Sequence, residues 1–115
     1  MPRDFRVYLD DILAAIEKVF RYTAGLSIEE FAVDEKTVDA VIRNLKIVGE
    51  AIKKVPGEIR AAHSEVDWAK IAGLRDILIH EYFGIDTMIL WDIVQNKLPQ
   101  LQEQVRRILT EMKNA

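Results

Sequence analysis

The chain has 115 residues, half of them apolar and 30% charged, with five Gly, three Pro and no Cys. That length favours a single domain over residues 1–115, able to bury about two thirds of its unfolded surface without staples, and the missing cysteine excludes disulfide frameworks and thiolate zinc sites. A formal net charge of −3 gives no general attraction to phosphate backbones, so any nucleic-acid contact must come from a local site and a broad DNA-coating role is disfavoured.

The first residues carry Arg3, Asp4 and Arg6 without an apolar h-region, so no secretory signal is expected. No uncharged apolar run approaches the length of a membrane span. The expectation is a soluble cytoplasmic protein with no membrane partner.

Phe5, Tyr8, Leu9, Ile12, Ile16, Val19, Phe20 and Thr23 keep the i, i+3, i+4, i+7 spacing of one buried helix face, and Gly25 follows as a stop signal. Ser27 with Glu30 has the form of a capping box opening a short helical turn through Phe31, after which Asp34 caps the next element. Val38, Val41, Ile42, Leu45, Val48 and Ile52 mark a second long helix, halted by Pro56 and Gly57. Residues 58–66 are poorly patterned and read as a connection with room for a helical turn.

A third helix is expected from the N-cap Asp67 to about Phe83, with Gly84 as its end signal, and Asp86 should cap the last one. There Trp91, Val94, Leu98, Leu101, Val105, Ile108 and Met112 alternate spacings of three and four across Pro99, which implies a kink rather than a new direction. No strand alternation, repeat or low-complexity tract is present. The expected architecture is an all-α antiparallel bundle of four main helices plus short turns.

The third helix is unusual. At about 100° per residue, Trp68, Ile71, Leu78, Ile79 and Tyr82 fall on one side, and Arg75 falls at the centre of that same side. A buried guanidinium without a partner is opposed by several kcal/mol, so Arg75 must snorkel, meet a carboxylate, or line an opening that admits an anion. A neighbouring stripe holds Ala69, Gly73, Asp76 and His80. Glycine inside a helix costs roughly 1 kcal/mol relative to alanine, and close approach of another helix is a common reason to keep it. A helix apolar on most of its circumference needs more cover than a small bundle gives, which predicts a two-fold homodimer packed there.

Arg75-Asp76-Ile77-Leu78-Ile79-His80-Glu81-Tyr82 reads as Arg, four residues, His, one residue, Tyr. This segment resembles the signature of HEPN-domain ribonucleases, and in detail that of the HepT toxins encoded beside a minimal nucleotidyltransferase antitoxin. The resemblance extends over Trp68, Gly73-Leu74-Arg75-Asp76, His80 through Asp86, Trp91, and Leu98-Pro99-Gln100-Leu101, with no departure at the motif positions. It implies a HEPN-type fold, an RNA substrate, a homodimer whose two motifs face each other, and a nucleotidyltransferase partner. It also implies that this partner adenylylates the motif tyrosine, here Tyr82.

The residue types suit that chemistry on their own account. Histidine, with an ordinary pKa near 6.5, can move a proton at neutral pH, and arginine offers a planar fork of donors for the charge of a developing phosphorane. His80 and Arg75 are therefore the catalytic pair, with the acid or base role of His80 left open. Asp76 lies four residues before His80 on the same face, where it can orient the imidazole or pair with Arg75. Tyr82 returns to the Arg75 side. Arg75 and His80 stand about 140° apart, so a composite cleft between two copies is favoured.

His80-Glu81 begins like the zinc motif His-Glu-x-x-His, but Gly84 occupies the second ligand position, so no metal and no cofactor are inferred. His63 reads as a surface residue. Glu29, Glu30, Asp34, Glu35 and Asp39 read as a solvated face, with docking of a basic partner as the alternative. Arg106, Arg107 and Lys113 suit the negative pole of the last helix. The leading function is a metal-independent endoribonuclease toxin. The alternative is a non-catalytic helical partner that binds and regulates a nucleotidyltransferase.

Overall fold

The computed structural model describes residues 4–80 and 86–113, and of residues 75–80 the backbone alone. All of its described regular structure is helical, and no strand occurs among the described residues. The first long helix, α1 (Arg6–Thr23), gathers Leu9, Ile12, Ala15, Ile16 and Val19 on one buried face. Thr23 belongs to that face although it is polar, because its hydroxyl donates to Val19 O at 2.9 Å. Gly25 ends the segment with φ +78°, a left-handed conformation that costs glycine nothing.

The capping box at the start of α2 (Ile28–Val33) is closed in both directions: Glu30 N–H donates to Ser27 Oγ at 3.1 Å, and Ser27 N–H to Glu30 Oε1 at 3.0 Å. Asp34 caps α3 (Glu35–Lys53) by accepting from Thr37 N–H at 3.1 Å and from the Thr37 hydroxyl at 2.7 Å. Both satisfy donors that a helix start leaves free. Val41, Ile42, Leu45, Val48 and Ile52 are buried as their spacing requires, and Asn44 joins them by donating to Ala40 O at 2.8 Å.

In the connection over residues 58–66 the helical turn allowed for is a short helix. Pro56 and Gly57 do not only end α3; Pro56 is the N-cap of a six-residue helix, α4 (Gly57–Ala62), with Glu58 in its first turn. Proline and an acidic residue at a helix start need no donor and favour the positive pole. This helix buries none of its residues fully, which is why it leaves no apolar stripe in the sequence.

Asp67 accepts from Lys70 N–H at 3.3 Å as α5 (Trp68–His80) begins; its expected end at Phe83 and Gly84 lies outside the described residues. Asp86 caps α6 (Thr87–Asp92) through Met88 N–H at 2.8 Å. The last helix then passes through a π turn, Ile93–Lys97, into α7 (Leu98–Lys113). The irregularity expected at Pro99 is this turn: one extra residue in the ring before proline makes room for the side chain that would strike the preceding carbonyl. Long helices α1, α3, α5 and the α6–α7 run form the bundle.

The core is built where α1 meets α3, with α7 against α1 and α5 against α3. Leu9, Ile12, Ile16, Leu45, Ile52, Leu98 and Ile108 are inaccessible or nearly so, each contributing about 1.5–3 kcal/mol of burial. Helix α6 docks on α2 through Phe31 and Trp91, whose rings lie 5.2 Å apart and tilted by 41°, a separation at which ring pairs attract.

Candidate active site

Helix α5 carries the Arg75 and His80 positions five residues apart on one continuous backbone, a rise of about 7.5 Å. Asp76 is on the same helix. The side chains of Arg75, Asp76 and His80, and the whole of Tyr82, lie outside the described residues.

The described part of α5 supplies the setting. Its apolar residues are spread around the circumference, whereas those of α1, α3 and α7 are gathered on one face. Its main packing partner is α3, which can cover only one side. Ile71, Ala72 and Leu74 are correspondingly only partly buried. Trp68 anchors the start of the helix: it is 8% exposed, and its indole N–H donates to His63 O at 2.9 Å.

Among the described residues nothing lies within 4 Å of a Cβ built at Gly73, so no described helix makes the close approach that its helical cost suggests. Just beyond the motif, Met88 and Ile89 on α6 are 65% and 60% exposed, so apolar surface also flanks the segment on its C-terminal side.

His63 is not the surface residue its surroundings in the sequence suggest. Its side chain is 17% exposed and lies between two carboxylates, Nδ1 standing 3.6 Å from Glu65 and 3.8 Å from Glu111. Together with Gln104, whose amide donates to Glu65 O at 3.0 Å, it ties the α4–α5 connection to α7. Nothing in the sequence brings Glu111 to His63, so only the tertiary fold reveals the cluster. Of the acidic stretch, Glu29, Glu30, Glu35 and Asp39 are exposed and Asp34 is half-buried, with Glu30 and Asp34 committed to caps. Arg107 pairs with Glu103 at 3.3 Å, and Lys113 occupies the last turn of α7.

Two openings lie away from the motif. A groove of about 360 Å³ between α1 and α3 is lined by Tyr8, Asp11, Arg43, Lys46, Glu50 and Lys54, among others, and the Lys54 ammonium stands 5.5 Å from the Tyr8 ring centre. A second, of about 340 Å³, lies between the end of α1 and the π turn. Among the described residues no three His, Asp or Glu side chains form a metal-holding group, and no described helix is long and apolar enough to cross a membrane.

The profile of the ribonuclease HepT-like family matches residues 12–108, which reaches into every long helix and contains the whole motif. The chain belongs to the HepT-like ribonuclease family. Relatives agree over nearly the full length. A protein of Caldanaerobacter subterraneus, named as a candidate RNase, is 44% identical over 94% of this chain and 96% of its own. "Probable ribonuclease HepT" of Thermococcus cleftensis is 41% identical over 94% and 98%, and a further candidate RNase, of Methanocaldococcus jannaschii, is 41% identical over 97% and 93%. No solved structure matches the chain.

Proposed function

We propose that this HepT-like chain is a metal-independent endoribonuclease, the cytoplasmic toxin of a toxin–antitoxin pair, and that one domain over residues 1–115 performs the cleavage as a homodimer. The observation that supports the reading is the Arg75-x4-His80 segment on a helix that is apolar around its circumference and whose Gly73 position meets no described neighbour. A second copy packed on that side covers the apolar flank and brings two motifs to one seam.

In that seam Arg75 holds the non-bridging phosphate oxygens and His80 moves a proton. The ribose 2′-oxygen bonds to phosphorus, the bond from phosphorus to the 5′-oxygen of the next nucleotide breaks, and the 2′-hydroxyl proton balances the one the leaving oxygen receives. Arg75 serves the transition state most, because the extra negative charge exists only there. Asp76, one turn before His80, sets the imidazole orientation.

Cleavage of mixed RNA by the purified chain in EDTA tests this. Arg75→Ala and His80→Ala are expected to lose at least about a hundredfold in rate with an unchanged sedimentation mass. Unchanged cleavage in both variants overturns the assignment, and absence of cleavage in the unmutated chain favours the non-catalytic regulatory partner.

The cognate partner in this proposal is a minimal nucleotidyltransferase that silences the toxin by binding, by adenylylating Tyr82, or by both. An AMP group beside Arg75 supplies a competing phosphate and fills the cleft. Incubation with that partner and ATP should add the mass of an adenylyl group, lost in Tyr82→Phe; an adduct that persists in the variant places the modification elsewhere.

A further inference from the structure

The groove between α1 and α3, about 360 Å³, takes no part in the cleavage chemistry. Its lining sets three cations, Arg43, Lys46 and Lys54, against two carboxylates, Asp11 and Glu50. That is an excess of one positive charge in a chain whose formal charge is −3. The other opening has no charged residue in its lining. Charge of one sign collected in a groove focuses counter-charge there even when the whole chain carries the opposite sign.

Two of the three cations have no anionic partner. Asp11, Lys46 and Glu50 are each engaged within the protein, whereas Arg43 and Lys54 make no ion pair among the described residues. Both are exposed. The Lys54 ammonium stands 5.5 Å from the Tyr8 ring centre, a contact that steadies it at the groove and leaves its charge unneutralised.

Spacing decides the kind of anion. Arg43 lies on α3 and Lys54 is the C-cap of the same helix, about 16 Å further along its axis, too far for one phosphate or one carboxylate to touch both. A ligand that repeats its charge along a chain reaches both. For a HepT-like ribonuclease that polyanion is RNA.

We infer that the α1–α3 groove is a second RNA contact, in which Arg43 and Lys54 hold two phosphates of the strand at a distance from the scissile bond. The contact is to the backbone and reads no base. The inference rests on the ribonuclease reading for the identity of the strand, but binding in the groove is measurable without cleavage.

The test titrates the full chain with a fluorescein-labelled 2′-O-methyl oligonucleotide, which keeps the phosphates of RNA but lacks the attacking hydroxyl, and repeats the titration over a range of salt. Arg43→Ala and Lys54→Ala should each lose about three- to tenfold in affinity at low salt, and each should reduce the slope of log affinity against log salt by about 0.7. Glu50→Gln removes a carboxylate from the same groove and should tighten binding, a gain that misfolding cannot produce. Arg107→Ala removes a cation that is paired with Glu103 on α7 and should leave the slope as it was. An unchanged slope in either groove variant, or weaker binding in Glu50→Gln, overturns the inference. Polyglutamate that displaces the strand equally well per charge points to an acidic protein segment and overturns it too. Cleavage by a chain whose RNA affinity ignores Arg43 and Lys54 sinks the groove contact and leaves the ribonuclease; groove-dependent binding without cleavage of ordinary RNA does the reverse.

Discussion

Asp34 is held in its charged form by the Thr37 hydroxyl first and the Thr37 backbone N–H second, so its carboxyl lies below its ordinary 3.8. A lowered folded pKa means that the stabilising contribution is complete above the unfolded value and is lost as pH falls through the folded one. Asp34→Asn keeps an acceptor for Thr37 but cannot titrate. Melting temperature measured against pH should therefore fall less steeply below pH 3.8 in the variant than in the parent; parallel curves would show that the cap does not contribute to acid sensitivity. Caps of this kind were legible because they depend on residues three apart. His63 was not, because its burial depends on Glu111 from α7, and sequence spacing carries no information about that encounter.

Helix α2 has six residues, too short to persist by propensity, and it survives because Phe31 is fully buried against Trp91. Phe31→Ala should cost about 3–5 kcal/mol in urea unfolding; a loss under about 1 kcal/mol would mean that the capping box, not the ring, holds the element. The long helices α1, α3 and α7 were readable from apolar periodicity, since each buries one face. Helix α4 was hidden because it buries none of its residues fully. The break before Pro99 was legible from proline itself, but its π register was not, because that depends on which carbonyl receives Leu98 N–H. At Gly73 the helical cost suggests a close neighbour, and none is present among the described residues.

At the scale of the whole molecule, the bundle accounts for the one-sided helices and leaves Ile71, Ala72 and Leu74 of α5 only partly buried. The proposed dimer doubles the acidic net charge of −3, so in that proposal RNA is held by a small focus of cations rather than by a broad field. For the candidate site the sequence offers residue types and spacing, Arg75 and His80 above all, and the structure adds the helix that carries both positions. Spacing cannot supply the second wall that the proposed cleft requires, since about 140° of rotation separates the pair on its own helix. The most direct measurement mixes two inactive chains, Arg75→Ala and His80→Ala, under conditions that exchange subunits, and follows RNA cleavage in EDTA. A site shared across the seam, with Arg75 from one copy and His80 from the other, predicts recovery of about a quarter of the parental rate, since half of the dimers are mixed and each has one intact site. No recovery in a mixture shown to contain heterodimers would contradict the shared site.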